Sequence, residues 1–336
     1  MSSTPAGGPR QRRKAPLSSA SAPRDDADES AKPAVAPPVA VDTLRAADYA
    51  LLALFVVLGA VTRFWHLEDP KDIIFDETHF NKFSTWYISR HYYVDIHPPL
   101  AKLAFAAVLW FLGFKGAQED NVRWWVSESE GGFIGTKDWM LLYNDDYGAP
   151  YLPLRRLSAT MGVIFIAVTY ITARAIGLRQ VASSLAAFMA MCELVILVQS
   201  RAILCDIFLY LFNMATIGAT FASMRPGLTE KQRLAWLGAT GLLLGCALSV
   251  KLTALGTMAL VGIHQALSLL TPLPATLAAW QKTLGRGVCR ASCLLLPVLV
   301  VFFGLWHAHI VILKYSGQGD NFMNEEFRCV RSGMTG

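Results

Sequence analysis

Residues 234–270 read LAWLGATGLLLGCALSVKLTALGTMALVGIHQALSLL. The stretch is apolar almost throughout, and Lys251 is the one residue in it with a formal charge. As a helix it would run for about 55 Å, whereas the hydrocarbon core of a bilayer is about 30 Å thick. That is far too long for one crossing. A break near Ser249–Lys251 divides it into spans 234–250 and 252–270; a single tilted helix with a buried lysine is the competing reading. Further apolar runs of span length lie at 48–66, 155–176, 180–199, 203–223 and 293–314. The expected fold is therefore all-α: a multi-pass transmembrane helical bundle of about seven spans.

Composition agrees. Of 336 residues, 54% are hydrophobic and 16% charged, and the mean hydropathy is +0.38. Soluble domains carry about a quarter charged residues. The net charge of +5 is modest, and the basic residues are scattered between apolar segments, so no nucleic-acid partner is expected. The six cysteines have neither zinc-site nor disulfide-framework spacing. Residues 1–46, rich in Pro, Ala, Ser and charge, read as a disordered tail and not as a cleavable signal.

Cations set the expected orientation. Arg10, Arg12, Arg13 and Lys14 precede the first span, and Arg174, Arg179, Arg225, Lys231, Arg233, Lys282, Arg286 and Arg290 fall on the same side of a seven-span chain. Positive residues favour the cytoplasmic face, so the N-terminus is expected there. The loop 67–154 and the tail 315–336 then face the lumen or exterior. The loop holds helix-like segments near 78–91 and 98–114, with Trp86, Trp110, Trp124, Trp125 and Trp139 along it and Trp65 at its edge. Tryptophan favours the headgroup level, so the loop is expected to lie on the membrane surface.

Two clusters carry candidate chemistry. The first is Phe75-Asp76-Glu77-Thr78-His79-Phe80, followed by Asp95-Ile96-His97-Pro98-Pro99-Leu100-Ala101-Lys102. Adjacent carboxylates near a span end suit a general base for a hydroxyl nucleophile. The bland reading has Asp76 as the N-cap of the next helix and His97 as structural. The second cluster is cationic: Arg63, Arg155, Arg156, Arg201 and Lys251 lie at span ends on the loop side. Each can snorkel to lipid phosphate; the sharper reading is that several converge on one phosphate at the membrane surface. No phosphate-cradling glycine loop and no His/Cys set with metal-ligand spacing occurs. Residues alone thus point to a donor presented as a lipid phosphate.

These strings resemble the protein O-mannosyltransferase family, of the glycosyltransferase C (GT-C) type, in its D-E-x-H-F and D-x-H-P-P-L-x-K segments. The likeness continues through Arg155–Gly162 (RRLSATMG), Ser200–Asp206 (SRAILCD), Leu248–Lys251 (LSVK) and Tyr315–Asp320 (YSGQGD), and spans roughly 47–328. The resemblance implies a GT-C catalytic region over 47–314. It implies transfer of mannose from dolichyl phosphate mannose to Ser or Thr hydroxyls of proteins, with inversion, in the endoplasmic reticulum lumen and without a metal or other cofactor. It makes Asp76 the general base, with Glu77 positioning the acceptor or tuning Asp76. Arg155 becomes a contact to the dolichyl phosphate, with Arg63, Arg201 and Lys251 as weaker candidates, and His97 shapes the site. It also implies Ser/Thr-rich acceptors and pairing with a family member. Family members continue into a lumenal MIR domain and more spans, so 315–336 is expected to be the start of a missing region and the chain a fragment or truncated gene model. The alternatives are a non-catalytic partner of a full-length enzyme, a GT-C relative acting on lipid, and a transporter.

Overall fold

A computed structural model describes residues 44–71, 76–115, 150–271 and 273–332. Most of the expected N-terminal tail, Phe75 and the loop tryptophans Trp124, Trp125 and Trp139 lie outside the described residues. Among those described, every regular element is a helix. In chain order they are α1 (Ala46–Phe64), α2 (Glu77–Ser89), α3 (Leu100–Phe111), α4 (Tyr151–Ile176), α5 (Gln180–Cys192), α6 (Leu194–Gln199), α7 (Asp206–Ser223), α8 (Glu230–Val250), α9 (Leu255–Leu270), α10 (Leu277–Ile312) and α11 (Glu325–Ser332). Short 3₁₀ turns occupy Leu252–Ala254 and Gln318–Phe322.

Among the described residues, five helical segments are long and apolar enough to cross a membrane: α1, α4, α8, Leu252–Leu270 and α10. The chain is a multi-pass helical bundle. The break in the longest apolar run falls where expected: α8 ends at Val250, and Lys251 is extended at φ −154°. Two expected spans look different. The run 180–199 is two helices, because Glu193 turns extended and its carboxylate then caps α6 by accepting from Ile196 N–H at 2.6 Å. The run 293–314 is the second half of a 36-residue helix, so Lys282, Arg286 and Arg290 ride on helix α10 and not on a loop. Between those cations stand Thr283, Leu284, Gly285, Gly287, Val288 and Cys289, mostly weak helix formers, so local propensity does not account for the extension.

The core gathers Phe105 and Leu109 of α3, Leu154 of α4, Ile203 and Ile207 around the start of α7, and Leu244 and Val250 of α8, all without solvent exposure. The loop helix α3 is thus built into the end of the bundle, with the Phe105 ring 5.4 Å from that of Phe208. It leaves Trp110, Phe111 and Leu112 exposed at its tip. At the opposite end Asp48 ties α1 to α4: it accepts from Tyr170 Oη at 2.6 Å and lies 3.2 Å from Arg174 Nε.

Helices α8 and α10 meet through glycine. A Cβ built on Gly241 would lie 2.2 Å from the Leu294 carbonyl oxygen, so a side chain there forces the helices apart. Gly241→Val is expected to destabilise the bundle by about 1–3 kcal/mol, the usual penalty for overpacking. A lowered thermal midpoint in detergent checks it; an unchanged midpoint would mean that α8 and α10 do not meet at this glycine.

Candidate active site

Asp76 and Glu77 are neighbours in sequence and opposites in environment. Asp76 sits at the N-cap of α2, where its carbonyl accepts from His79 and Phe80 N–H, yet its side chain makes no capping bond and is exposed. Glu77 begins the helix and has no exposed surface. A carboxylate in such surroundings must be paired. It receives a bidentate Arg155 guanidinium, Nε to Oε1 at 2.9 Å and Nη2 to Oε2 at 2.7 Å. The Ile203 N–H adds a bond to Oε1 at 2.8 Å. Helix α2 is thereby fastened at its first residue to α4 and to the 200–206 turn.

Arg155 does more. Its Nη1 donates to the Pro70 carbonyl at 2.7 Å, and its guanidinium lies 4.7 Å from the centre of the Tyr151 ring. The expected contact of Arg155 to a donor phosphate stands beside these partners within the protein. The guanidinium is fully buried and faces Glu77 and the backbone at the end of α1. Arg63 and Arg201 also bond groups of the protein. Arg63 is fully buried and donates to the Met191 carbonyl at 3.1 Å and that of Ala190 at 3.4 Å, at the end of α5. Arg201 donates to the carbonyls of Arg63 at 3.1 Å, Trp65 at 2.7 Å and His66 at 2.8 Å. The last carbonyls of a helix have no partner within it, and a cation there also meets the negative end of the helix dipole. All three arginines therefore do structural work that a membrane-embedded backbone cannot leave to water.

The second motif segment is a clasp. Pro98 and Pro99 are buried and lead into α3. Lys102, one turn later, reaches back to Asp95 Oδ2 at 2.5 Å and to the His97 carbonyl at 2.6 Å. Its ammonium also lies over the rings of Phe83 and Tyr93, at 5.3 and 5.6 Å. Burial pulls the Lys102 ammonium below its ordinary range, and Asp95 opposes that shift. The His97 ring is half-buried; burial first, then nearby Lys251, lower its pKa and favour the neutral imidazole. Lys251 itself bonds Asp206 Oδ1 at 2.9 Å, and both side chains keep partial exposure, 27% and 21%.

The segment after α10 secures this arrangement from the other side. Tyr315 pairs with Arg90 and Tyr92 through backbone bonds of 2.9 and 3.0 Å, and Gly319 N–H donates to the Tyr92 carbonyl at 3.1 Å. Cβ atoms on Gly317 and Gly319 would lie 2.2 and 2.7 Å from the backbone of Tyr92 and Tyr93, so only glycine permits this approach. Asp320 closes the turn by accepting from Ser316 Oγ and from Gly317 N–H.

The structure therefore brings Asp76, Glu77 and Arg155 together, and separately His97, Lys251 and Asp206. The Ile203 amide, the Asp95–Lys102 pair and the Asp206–Lys251 pair were not assigned from sequence. The signal for the Asp95–Lys102 pair was present, since its motif carries one acid and one base, whereas Asp206 and Lys251 come from two separate motifs. Among the described residues one group has metal-ligand spacing: His66, Glu68 and Asp69, all exposed, with ligand atoms within 4.8 Å of one another. Exposed acids this close are common without an ion.

Helices of span length, with a first loop locked to their ends by a buried ion pair, define a multi-pass membrane protein with a site at one end of its bundle. The family model described as dolichyl-phosphate-mannose-protein mannosyltransferase matches residues 53–314. The chain belongs to that family. It is 30% identical over 285 residues to Candida albicans dolichyl-phosphate-mannose–protein mannosyltransferase 4, covering 83% of this chain and 35% of that protein. It is 28% identical over 282 residues to Drosophila melanogaster protein O-mannosyl-transferase 2, covering 83% and 34%. The solved S. cerevisiae protein O-mannosyltransferase Pmt1–Pmt2 complex bound to the sugar donor is similar in structure, with a TM-score of 0.72 at 26% identity, covering 88% of this chain and 38% of that one. The chain thus spans about a third of the length of these relatives.

Arg155→Ala leaves Glu77 buried without its ion-pair partner. Breaking such a pair costs about 3–5 kcal/mol. A marked drop in thermal stability in detergent, with no donor added, is expected. Unchanged stability would return Arg155 to a role in ligand binding alone.

Proposed function

We propose that this chain carries the donor-handling and base-bearing residues of a transferase that moves mannose from dolichyl phosphate mannose to Ser or Thr hydroxyls of proteins. One observation carries the reading: of two adjacent carboxylates, Glu77 is locked by Arg155 and the Ile203 amide, while Asp76 stands exposed beside it. Family membership supports it, as do the relatives' names.

In this mechanism Asp76 takes the proton of the acceptor hydroxyl as that oxygen attacks the anomeric carbon. The bond from that carbon to the phosphate oxygen breaks, and dolichyl phosphate leaves with the electron pair. A hydroxyl is weakly nucleophilic and needs proton removal in the transition state. Glu77 is a positioning residue: fixing it fixes the backbone that carries Asp76. Among the cations singled out by sequence, Lys251 is assigned to offset charge on the leaving phosphate: it keeps exposure and lies near His97, whereas Arg63 and Arg155 have no exposure and Arg201 is taken up by the carbonyls at the end of α1. His97, neutral and half-buried near Lys251, shapes the same region. Loop 67–154 faces the lumen of the endoplasmic reticulum, and the chain pairs with a family member, as the relatives in the solved complex do.

A microsomal transfer assay tests the chemistry, with labelled dolichyl phosphate mannose and a Ser/Thr-rich peptide. The chain is expected to transfer mannose, Asp76→Asn to lose about 100-fold or more in rate, consistent with removal of a general base, and Glu77→Gln to fail by unfolding. Transfer by Asp76→Asn at the normal rate would sink the assignment of the base; no transfer by well-inserted wild-type chain would make it a partner subunit. The orientation has its own check. A glycosylation sequon placed within 115–135 should be modified in microsomes, and an unmodified, well-expressed protein would reverse the topology.

A further inference from the structure

Three helix ends meet beside α10. Arg290 Nε lies 3.3 Å from Glu230 Oε1, at the start of α8. Arg233, in the first turn of α8, donates from Nη1 to the carbonyl of Ser223, the last residue of α7, at 2.7 Å. A Cβ built on Gly287 would lie 3.5 Å from the Leu269 side chain, next to the end of α9. Residues 287–290 therefore mark the level at which this end of the bundle stops. A span of about 20 residues counted from there carries α10 to its last turn before Ile312. Residues 277–286 run on past the edge for about 15 Å, with Trp280, Lys282 and Arg286 exposed, residue types at home among headgroups.

Two thiols stand at that edge. Cys289 is exposed and Cys293 half-buried, and their side chains are in contact. Steps of four and seven residues return to one face of a helix. Lys282 and Arg286 thus precede the thiols on their stripe, and Leu296, Val300 and Phe303 continue it into the span, all three exposed. A disulfide between the two thiols is out of reach: Cβ atoms one helical turn apart lie about 5–6 Å from each other, and a disulfide holds them at about 3.8 Å. Two thiolates make only half of a tetrahedral metal set. Among the described residues the one group of three potential ligands lies elsewhere, at His66, Glu68 and Asp69. Cysteines at the cytoplasmic foot of a span have another use, as acceptors of long acyl chains. A chain so attached needs apolar surface running inward from the sulfur, and the stripe from Leu296 to Phe303 supplies it.

We propose that Cys289 and Cys293 form an S-acylation site. The inference rests on the orientation given above, with loop 67–154 lumenal, which puts this end of α10 in the cytoplasm, where thiols stay reduced. The cysteine sulfur attacks the carbonyl carbon of a long-chain acyl-coenzyme A thioester, delivered by a membrane acyltransferase. A carbon–sulfur bond forms to the cysteine and the bond to the coenzyme's sulfur breaks. That sulfur leaves with the electron pair and takes up the proton the cysteine gave up, so nothing is oxidised or reduced. The acyl chain then lies along Leu296, Val300 and Phe303 and pins the foot of α10 to the cytoplasmic leaflet.

Thioester exchange on the full chain, expressed in eukaryotic cells, tests this. Free thiols are blocked, thioesters are cleaved with hydroxylamine, and the thiols released are capped with a polyethylene glycol maleimide, so that each acylated cysteine adds one step in mass. Wild type is expected to show hydroxylamine-dependent steps. Cys192→Ser, which removes another exposed thiol at the far end of the bundle, should keep them, and the double variant Cys289→Ser, Cys293→Ser should lose them all. Steps that persist in the double variant would overturn the site, as would their absence from wild type. A membrane-impermeant maleimide on sealed microsomes tells the two causes of such an absence apart, read as the label that Cys289→Ser removes. Labelling in sealed vesicles would leave the orientation standing and refute acylation alone. Labelling only after the membrane is permeabilised would refute the orientation, and the site with it.

Discussion

The ion pair between Glu77 and Arg155 is the constraint on which the site depends. Two charges without solvent exposure are stable only as a geometry: both carboxylate oxygens meet nitrogen donors, and the Ile203 amide adds a third bond. Because Glu77 is the first residue of α2 and Arg155 belongs to α4, the pair fixes where the first loop returns to the bundle. Arg155 Nη1 extends the same lock to the Pro70 carbonyl and so to the chain leaving α1. Remove either partner and an uncompensated charge remains inside. The contrast between Asp76 and Glu77 follows. One carboxylate is committed to holding the backbone, which leaves the other, a residue away, in a set position and open to solvent.

Around this lock the turn Ser200–Asp206 links three neighbours at once. Arg201 grips the carbonyls at the end of α1, the Ile203 amide grips Glu77, and Asp206 grips Lys251 where α8 gives way to α9. From the other side, the backbone of Tyr315–Gly319 lies against Tyr92 and Tyr93, while Lys102 ties the loop to itself through Asp95. The site is thus assembled from elements far apart in sequence but locked by short polar links. Those links replace the water that a helix end would otherwise use.

Much of the fold was legible because hydropathy follows from lipid. The break at Lys251 could be read from length alone, since no single crossing accommodates the run. The loop helices α2 and α3 were legible in outline from their flanks, with Pro98-Pro99 marking a start. What could not be read was partnership. Arg155, Arg63 and Arg201 look alike in sequence, as cations at span ends, and the natural expectation is an anion. A single chain does not reveal that a glutamate 78 residues away, or the carbonyls of another helix, will claim each one first. The division at Glu193 was hidden for the same reason, since apolar residues on both sides read as one span.

Arg201 takes hold of α1 only through carbonyl oxygens, which every residue type presents alike. Nothing in that grip reads the side chains of Trp65 and His66, both of which are exposed. The joint between the first helix and the loop is therefore held by its shape and not by its spelling. Trp65 is at liberty to be recast, for a different lipid surface or a different neighbour, whereas His66, at φ 46°, admits only residues at ease in the left-handed region; the carboxylate pair beyond them keeps its place.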